Sequence, residues 1–274
     1  MDSIKSKLKE ISPTLFGALR SGRDGLVRIA DLPGMVFHPW RRESNQRLKE
    51  YQNMHSGKRC FVIGNGPSLK HTDLSLLKDE YTFGMNRIYL AFEERGFQTS
   101  FLVSVNDLVI EQSHEDFRDL SMPKFFSWRS KELLFPESQP DINSHFLYTT
   151  YTGPKFNKQI NNRFWEGATV TYVCLQLAFC MGFSEVYLIG VDHSFDTKGK
   201  ANQTIVSSGD DPNHFSPEYF GKGFRWQLPD LDTSEISYRL AYQNYLAAGR
   251  HVFDATIGGK LQVFPKVDYS SLFS

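Results

Sequence analysis

Short apolar runs alternate with longer amphipathic segments from residue 58 onward. The runs have the length and the Val, Ile and Phe content of buried strands, and the segments repeat apolar residues at helical spacing. Predicted strands cover 59–64, 81–85, 100–105, 124–128, 145–148, 185–191 and 251–254. Predicted helices cover 73–78, 87–95, 108–120, 168–181 and 233–248, the last with Asp232 or Thr233 ahead of Glu235 as in a capping box. The alternation predicts an α/β fold of the Rossmann-like, doubly wound type, with a mainly parallel sheet and helices on both faces.

The first 57 residues follow a different pattern. They predict a short helix with Ile4, Leu8 and Ile11 on one face, a stretch punctuated by Pro and Gly over 12–39, and a polar helix over 42–54. We therefore divide the chain into an N-terminal helical arm (1–57) and a Rossmann-like domain (58–274). The arm carries ten basic and six acidic residues. This local positive charge suits contact with an anionic surface, such as a peripheral membrane contact, or packing on the core or on a second subunit of a homo-oligomer.

Residues 196–230 also resist the alternating scheme, because they are polar and rich in Gly and Pro. A segment this long without predicted helices or strands is typical of a functional lid, or of an excursion with small elements of its own. We call residues 196–230 the lid segment.

Composition narrows the class of protein. The 31 Lys and Arg residues balance the 31 Asp and Glu residues, so no bulk charge favours a nucleic-acid partner. The three cysteines form no C-x-x-C motif, which favours buried free thiols in a reducing compartment. No signal-peptide pattern is visible, and the longest apolar stretch, 170–183, is too short to span a bilayer. We therefore expect a soluble, cytoplasmic protein.

The first predicted strand runs into the sequence Gly64-Asn65-Gly66-Pro67-Ser68. A strand that ends in a glycine-rich turn before a helix can hold phosphate through free backbone N–H groups, and a purely structural turn is the alternative.

Asn86 and Asn106 follow the next two predicted strands. The carboxyl ends of parallel strands share one edge of a sheet, so we expect these two residues to lie near Asn65. Amides can bind the polar edge of a base or the hydroxyls of a sugar, although each Asn could equally be a turn residue. The sequence thus predicts nucleotide binding by Gly64, Asn65, Gly66, Ser68, Asn86 and Asn106.

Further candidates lie where helices begin and strands end. Thr169 and Thr171, at a predicted helix start, could cap the helix or leave its N–H groups open to phosphate. Asp192, after a strand, could hold a sugar hydroxyl, orient the neighbouring His193 or cap a turn. His214, in the lid segment, is the best candidate for a general base, with a solvent-exposed histidine as the alternative.

Absent motifs exclude several classes of enzyme. The chain has no P-loop sequence, and its glycine-rich turn lacks the third glycine of the dinucleotide fingerprint. It has no G-x-S-x-G and no H-E-x-x-H. The D-x-D sequence at 230–232 falls where a helix cap is expected, so we predict no metal-binding D-x-D motif.

Several short motifs occur in a fixed order. They are Gly-Asn-Gly-Pro-Ser-Leu at 64–69, Met-Asn-Arg at 85–87, Gly-Ala-Thr-Val-Thr-Tyr at 167–172, Val-Tyr-Leu-Ile-Gly-Val-Asp-His at 186–193, Asn-His-Phe at 213–215, Tyr-Phe-Gly-Lys-Gly at 219–223 and Ala-Thr-Ile-Gly-Gly-Lys-Leu at 255–261. From residue 57 onward the set resembles the domain of unknown function shared by motility-associated-factor glycosyltransferases and archaeal 6-hydroxymethylpterin pyrophosphokinases. The resemblance implies a nucleotide-binding, glycosyltransferase-type domain over 58–274.

The same spacing is similar to that of a bacterial CMP-sialic acid sialyltransferase family. In that family the glycine-rich loop and an Asn after each of the next two strands bind CMP, which implies CMP binding at 64–68, Asn86 and Asn106 here. The family's Thr-Ser-Gly helix start falls near Thr169 and Thr171, but the Ser and the Gly are not kept.

The catalytic positions of that family match less well. Its phosphate-binding Tyr falls on Ser194, and its catalytic His falls on Glu218. His214 is therefore our own substitute for the base, with His193 as the second candidate.

Three hypotheses follow. The first is a metal-independent glycosyltransferase that uses a CMP-activated acidic sugar, a sialic-acid-like nonulosonate or Kdo, without a cofactor and with a glycan or glycolipid as acceptor. The second is a pyrophosphokinase that transfers diphosphate from ATP to a pterin alcohol. It would need Mg²⁺, with Asp192 and Asp210 or Asp211 as the expected ligands. Lys70, Arg87 and Lys222 are its only candidates for binding a triphosphate. The third is a nucleotide-binding module without catalysis.

Overall fold

The structure is a computed structural model that describes residues 32–151, 155–197 and 199–273, together with Leu26 and Ile29. The predicted helix of Ile4, Leu8 and Ile11 lies outside the described residues.

A seven-stranded sheet forms the centre of the described part. The strands of the described residues, of which seven belong to this sheet, are β1 (Arg59–Ile63), β2 (Tyr81–Met85), β3 (Phe101–Ser104), β4 (Lys124–Ser127), β5 (Ser144–Leu147), β6 (Thr149–Thr150), β7 (Phe164–Trp165), β8 (Glu185–Ile189), β9 (Thr204–Val206), β10 (Arg225–Gln227) and β11 (His251–Asp254). The central sheet has the order β11-β8-β1-β2-β3-β4-β5, and every pair in it is parallel. The predicted Rossmann-like α/β fold is confirmed.

The α-helices cover both faces of this sheet. They are α1 (Leu32–Phe37), α2 (Pro39–Tyr51), α3 (Phe92–Arg95), α4 (Asp107–Asp119), α5 (Lys131–Leu134), α6 (Val170–Cys180) and α7 (Leu231–Ala247). Cys60 and Val62 of β1 pack in one apolar cluster with residues of α2, α6 and α7. Phe61 and Ile63 pack in a second cluster with residues of α4 and α5. Because both faces are covered, the central strands are continuous apolar runs.

Some predicted elements differ from those observed. Residues Leu74–Leu77 and Asn86–Ala91 form 3₁₀ turns rather than the predicted α-helices. Helix α7 begins at Leu231, and its cap is Asp230, whose carboxylate accepts from Thr233 N at 3.1 Å. The predicted capping box at Asp232 or Thr233 is therefore wrong, because the side chain one turn earlier already meets the free N–H groups of the helix start.

The N-terminal segment also differs from its prediction. Leu32–Phe37 is helical within the stretch predicted as irregular, and α2 runs over Pro39–Tyr51 rather than 42–54, since proline is tolerated in the first turn of a helix. Helix α2 packs on β5, where Ser44 Oγ accepts from Phe146 N at 2.7 Å. The division of the chain at residue 57 stays a prediction.

The lid segment has its own small sheet, in which β9 and β10 pair antiparallel. Across the described ranges, no helix has both the length and the apolar composition that crossing a bilayer requires.

Candidate functional site

A cleft of about 510 Å³ opens at the carboxyl ends of the central strands. From β1 the sheet extends through β2 to β5 on one side and through β8 to β11 on the other, so the strand order reverses between β1 and β8. Ligands of doubly wound sheets bind outside such a switch point. All the predicted site residues except Ser68 line this cleft: Gly64, Asn65, Gly66, Asn86, Asn106, Thr169, Thr171, Asp192, His193 and His214.

The glycine-rich turn is held by very close contact between the ends of β1 and β8. Gly64 N donates to Ile189 O at 2.7 Å, and Gly66 N donates to Gly190 O at 2.9 Å. A Cβ atom at Gly64 would lie 2.2 Å from Gly190 O. Glycine at position 64 is therefore a steric requirement of the switch point.

Ser68 and Asp192 brace the same turn. Ser68 Oγ donates to Asp192 Oδ2 at 2.7 Å, and Ser68 N donates to Asp192 Oδ1 at 3.1 Å. A Cβ atom at Gly66 would lie 1.9 Å from Asp192 Oδ2, so a side chain there would displace the carboxylate. The turn leads into a 3₁₀ helix (Pro67–His71). Ser68 and Asp192 thus have a structural role. The predicted contact of Ser68 with a nucleotide, and the predicted role of Asp192 in holding a sugar hydroxyl or orienting His193, stay predictions.

The three asparagines differ in whether the side-chain oxygen is already hydrogen-bonded within the described structure. Asn106 caps α4, because its Oδ1 accepts from Leu108 N at 3.0 Å. Asn86 has a φ of 48°, and its Oδ1 accepts from Ser104 Oγ at 3.0 Å. Asn65 Nδ2 donates to Met85 O at 3.0 Å, but its buried Oδ1 has no hydrogen-bond partner among the described residues. An unmet buried acceptor costs about 1–3 kcal/mol, so a ligand that donates to Asn65 Oδ1 would gain that energy.

Helix α6 begins at the cleft after two residues in the left-handed region, Gly167 (φ 54°) and Ala168 (φ 62°). Thr169 caps the helix, because its side-chain oxygen accepts from Thr171 N at 3.3 Å. Of the two roles predicted for this residue, the side chain therefore has the capping role. Ala168, Thr169 and Thr171 line the cleft.

Backbone strain concentrates around the cleft. Among the described non-glycine residues with positive φ, Asn53 lies elsewhere, and the other four line the cleft: Asn86, Ala168, His193 and Asn202. Such conformations cost about 1–3 kcal/mol each and cluster at functional sites. This distribution supports a functional cleft.

His214 forms a close pair with a buried carboxylate. Its Nδ1 lies 2.7 Å from Asp211 Oδ2, and Asp211 is 5% exposed. The imidazole stacks on Tyr219 with 4.0 Å between ring centroids. Phe220 N also donates to Asp211 Oδ2, at 3.2 Å, and Asn213 N to Oδ1, at 2.8 Å, which fixes the carboxylate. A carboxylate that accepts from Nδ1–H leaves Nε2 as the proton acceptor.

The lid segment is docked on the core by backbone contacts that place His214. Phe215 N donates to Asn65 O at 2.9 Å, which joins the lid segment to the glycine-rich turn. Arg87 Nη1 donates to Glu218 O at 2.9 Å and to Tyr219 O. Glu218 itself is exposed and does not line the cleft. The base position implied by the sialyltransferase resemblance is therefore outside the cleft.

A buried ion network at the cleft wall escaped the sequence-based prediction. Arg129 Nε donates to both carboxylate oxygens of Asp107, at 2.9 and 2.7 Å, and its two Nη atoms donate to Glu166. Burial lowers the pKa of Arg129, but the charges of Glu166, Tyr151 and Asp107 outweigh it, so the pKa is raised. Arg129 follows β4 as Asn86 follows β2, and this position after a strand was the only signal in the sequence.

The electrostatics of the cleft are set by carboxylates and histidines. Asp107, Glu166 and Asp192 line it, with no lysine or arginine among the described lining residues. Lys70 and Lys222 are exposed outside it, and Arg87 is engaged by the lid segment. None of the predicted triphosphate contacts is therefore placed to neutralise a ligand in the cleft.

We also tested whether the residues present fit a magnesium ion. Within 32–151, 155–197 and 199–273, no three His, Cys, Asp or Glu side chains come together as a metal-binding group. The cleft carboxylates already accept from Arg129 or Ser68. These residues do not fit a preassembled Mg²⁺ site.

Comparison with known proteins identifies the family. Residues 39–198 match the model of the family described as "6-hydroxymethylpterin diphosphokinase MptE-like". The match covers more than half of the chain, so the chain belongs to this family, which confirms the resemblance found in the sequence. No curated protein sequence matches the chain.

Among solved structures, the chain is similar to a MAf glycosyltransferase from Magnetospirillum magneticum AMB-1. The identity is 18% and the TM-score 0.46, with 94% of this chain and 42% of that one covered. The chain thus spans less than half the length of this protein.

Proposed function

We propose that this MptE-like chain is a nucleotide-dependent transferase that moves an acidic sugar from CMP to an acceptor hydroxyl, with His214 as general base. The observation that carries the proposal is the pair formed by Asp211 and His214 in the wall of the cleft. A histidine whose Nδ1–H is fixed by a buried carboxylate can take a proton from a hydroxyl on its second nitrogen near neutral pH.

The cleft offers matching parts for the donor. Asn65 Oδ1, for which the described part of the chain supplies no partner, can accept from a hydroxyl or an amino group of the nucleoside. The N–H groups of Gly64, Gly66 and Ser68 are engaged within the protein, so the backbone donors that we propose for the phosphate are those at the start of α6, which lines the same cleft. In the proposed reaction the bond between the sugar carbon and the phosphate oxygen breaks, and its electron pair leaves with CMP. The acceptor oxygen bonds to that carbon, and its proton goes to His214 Nε2.

The family match favours a second function, ATP-dependent transfer of diphosphate to a pterin alcohol. A nucleoside triphosphate carries more negative charge than the phosphodiester of a CMP-sugar. The described cleft residues include no lysine or arginine and form no metal-binding group. Charge therefore favours the CMP-sugar over the triphosphate.

Thermal unfolding with CMP, CTP, ATP and GTP, each with and without Mg²⁺, tests the choice of nucleotide. We expect CMP to raise the Tm without Mg²⁺, because binding to the native state stabilises it by mass action. Stabilisation by ATP with Mg²⁺ alone would instead support the diphosphokinase.

Catalysis is tested with Asp211→Asn and His214→Ala in a transfer assay with a CMP-sugar. We expect each variant to lower kcat by about 10²-fold or more with CMP affinity unchanged. The control, Glu218→Gln, alters an exposed residue outside the cleft and should transfer at the wild-type rate. Full activity of His214→Ala would rule out His214 as the base, and CMP binding by the wild type without any transfer would support the non-catalytic module. The acidic donor sugar, the glycan or glycolipid acceptor and a cytoplasmic location stay predictions.

A further inference from the structure

A second histidine–carboxylate pair joins the loop after β8 to helix α7. His193 Nε2 is 3.2 Å from Glu235 Oε1, and Glu235 belongs to the first turns of α7. The imidazole also lies edge-on against Tyr238, with 6.2 Å between ring centroids. The structure thus fixes this ring from two sides, although Glu235 has no part in the function proposed above.

The backbone at His193 is strained, and this residue lines the cleft. Its φ is 55°, in the left-handed region that non-glycine residues rarely adopt. The preceding residue, Asp192, is held at its backbone and at its side chain, since Lys260 N donates to Asp192 O at 2.9 Å and Ser68 Oγ donates to Asp192 Oδ2. A conformation that costs about 1–3 kcal/mol persists where the surrounding structure maintains it, commonly at ligand sites.

The position of His193 places it beside the glycine-rich turn. It is the third residue after Gly190, whose carbonyl accepts from Gly66 N. The described residues that line the cleft supply no lysine or arginine, and His214 is tied to Asp211 on the lid segment. Among the described residues that line the cleft, His193 is therefore the basic side chain that the core, rather than the lid segment, supplies beside this turn.

We propose that His193, oriented by Glu235, donates a hydrogen bond to the phosphate of the nucleotide and stabilises it as it leaves. The inference rests on the proposed function and adds to it a phosphate contact and a positioning residue. The donor is the imidazolium form of His193, which the Glu235 carboxylate on one side and the phosphate on the other would both stabilise; Nε2–H then donates to Glu235 and Nδ1–H to the phosphate. When the bond between sugar and phosphate breaks, the new charge on the phosphate oxygen faces this donor. No net proton transfer is required, since the acceptor proton goes to His214.

The hydrogen bond from Arg239 is the largest cause that lowers the pKa of Glu235; burial opposes it, and the hydrogen bond and charge of His193 lower the pKa further. Glu235 thus stays a carboxylate and can hold the ring in one orientation. Replacing it should weaken the phosphate contact without removing the histidine.

The test compares CMP with cytidine, which lacks only the phosphate, by titration calorimetry without metal. The variants are His193→Asn, since Asn tolerates the left-handed region, and Glu235→Gln, which keeps the shape of the side chain. We expect His193→Asn to weaken CMP binding at least 10-fold, as for a hydrogen bond to a charged group. Cytidine affinity should stay within 2-fold of wild type, and Glu235→Gln should show the same selective loss to a smaller degree. In the His193→Asn background, Glu235→Gln should have no further effect on CMP.

Equal losses for CMP and cytidine would overturn the inference, because they would indicate a structural role for His193. Unchanged CMP affinity in His193→Asn, with a wild-type Tm, would overturn it as well. A wild-type chain that binds neither CMP nor cytidine would overturn the proposed function and this inference with it. If the wild type binds CMP and the His193→Asn variant binds it equally well, the inference alone is overturned and the proposed function stands.

Discussion

Replacing Gly64 by alanine should force apart the two strand ends that form the base of the cleft. A Cβ atom at this position would lie 2.2 Å from Gly190 O and 2.6 Å from the carbonyl carbon. Both are backbone atoms, so no side-chain rotation can relieve the clash. The ends of β1 and β8 must separate, which weakens the hydrogen bonds from Gly64 N to Ile189 O and from Gly66 N to Gly190 O.

The size of the effect follows from three contributions. Overpacking costs about 1–3 kcal/mol, and each of the two backbone hydrogen bonds contributes about 1 kcal/mol. The Gly→Ala change returns about 0.4–1 kcal/mol, because alanine restricts the unfolded chain. The free energy of unfolding should therefore fall by about 2–5 kcal/mol. For a domain of this size a loss of about 3 kcal/mol lowers the Tm by about 6–12 °C.

Urea unfolding followed by far-UV circular dichroism measures this loss. The matched control is Gly209→Ala, because a Cβ atom at Gly209 would have no neighbour within 4 Å. We expect Gly209→Ala to stay within about 0.5 kcal/mol of wild type. If the two variants unfold at the same urea concentration, the close approach of β1 and β8 does not limit stability, and the argument fails.

Two further predictions concern buried charges. Burial, and then the charge of Arg47, lowers the pKa of His145 in the folded chain to about 4. As the pH falls, the unfolded chain, whose histidine has a pKa of about 6.5, is therefore protonated first. The free energy of unfolding decreases between about pH 6.5 and 4, and it is regained when the pH is raised. From pH 6.5 to 5, urea unfolding should show a loss of about 1.5 kcal/mol that is absent from His145→Phe; equal losses in both proteins would contradict it. Glu166→Ala leaves the buried Arg129 without a main partner and should cost about 3–5 kcal/mol, whereas Glu111→Ala, which breaks the exposed pair with Arg225, should cost about 0–1 kcal/mol; similar losses in the two variants would refute the importance of the network.

The strands could be predicted from the sequence because the sheet is covered on both faces. Every residue of β3 and β4 is buried, so these strands appear as uninterrupted runs that end at polar residues. The sequence pattern predicts α-helices where the structure has the 3₁₀ turns Leu74–Leu77 and Asn86–Ala91, since one turn of 3₁₀ helix and the start of an α-helix share the same apolar spacing.

The site could be predicted as far as it depends on strand ends. Gly64, Asn86 and Asp192 meet because the carboxyl ends of parallel strands share one edge of the sheet. The partners of the histidines could not be predicted in the same way. Glu235 lies on a helix 42 residues from His193, and nothing in the sequence marks that contact. Asp211 is only three residues from His214, so its role could have been inferred from the lid segment.

The strand order has a consequence for the growing chain. Strand β1 gains one neighbour, β2, soon after it is made, but its other edge pairs with β8, and Ser68 meets Asp192 across 124 residues of sequence. Until that point in synthesis, the apolar residues 60–63 form an open strand edge, and such edges promote association between chains. Folding should therefore be dominated by non-local pairing and be slow for the size of the chain. A ribosome-bound fragment that ends before β8 would expose this edge and bind no nucleotide, and both properties would change together as β8 emerges.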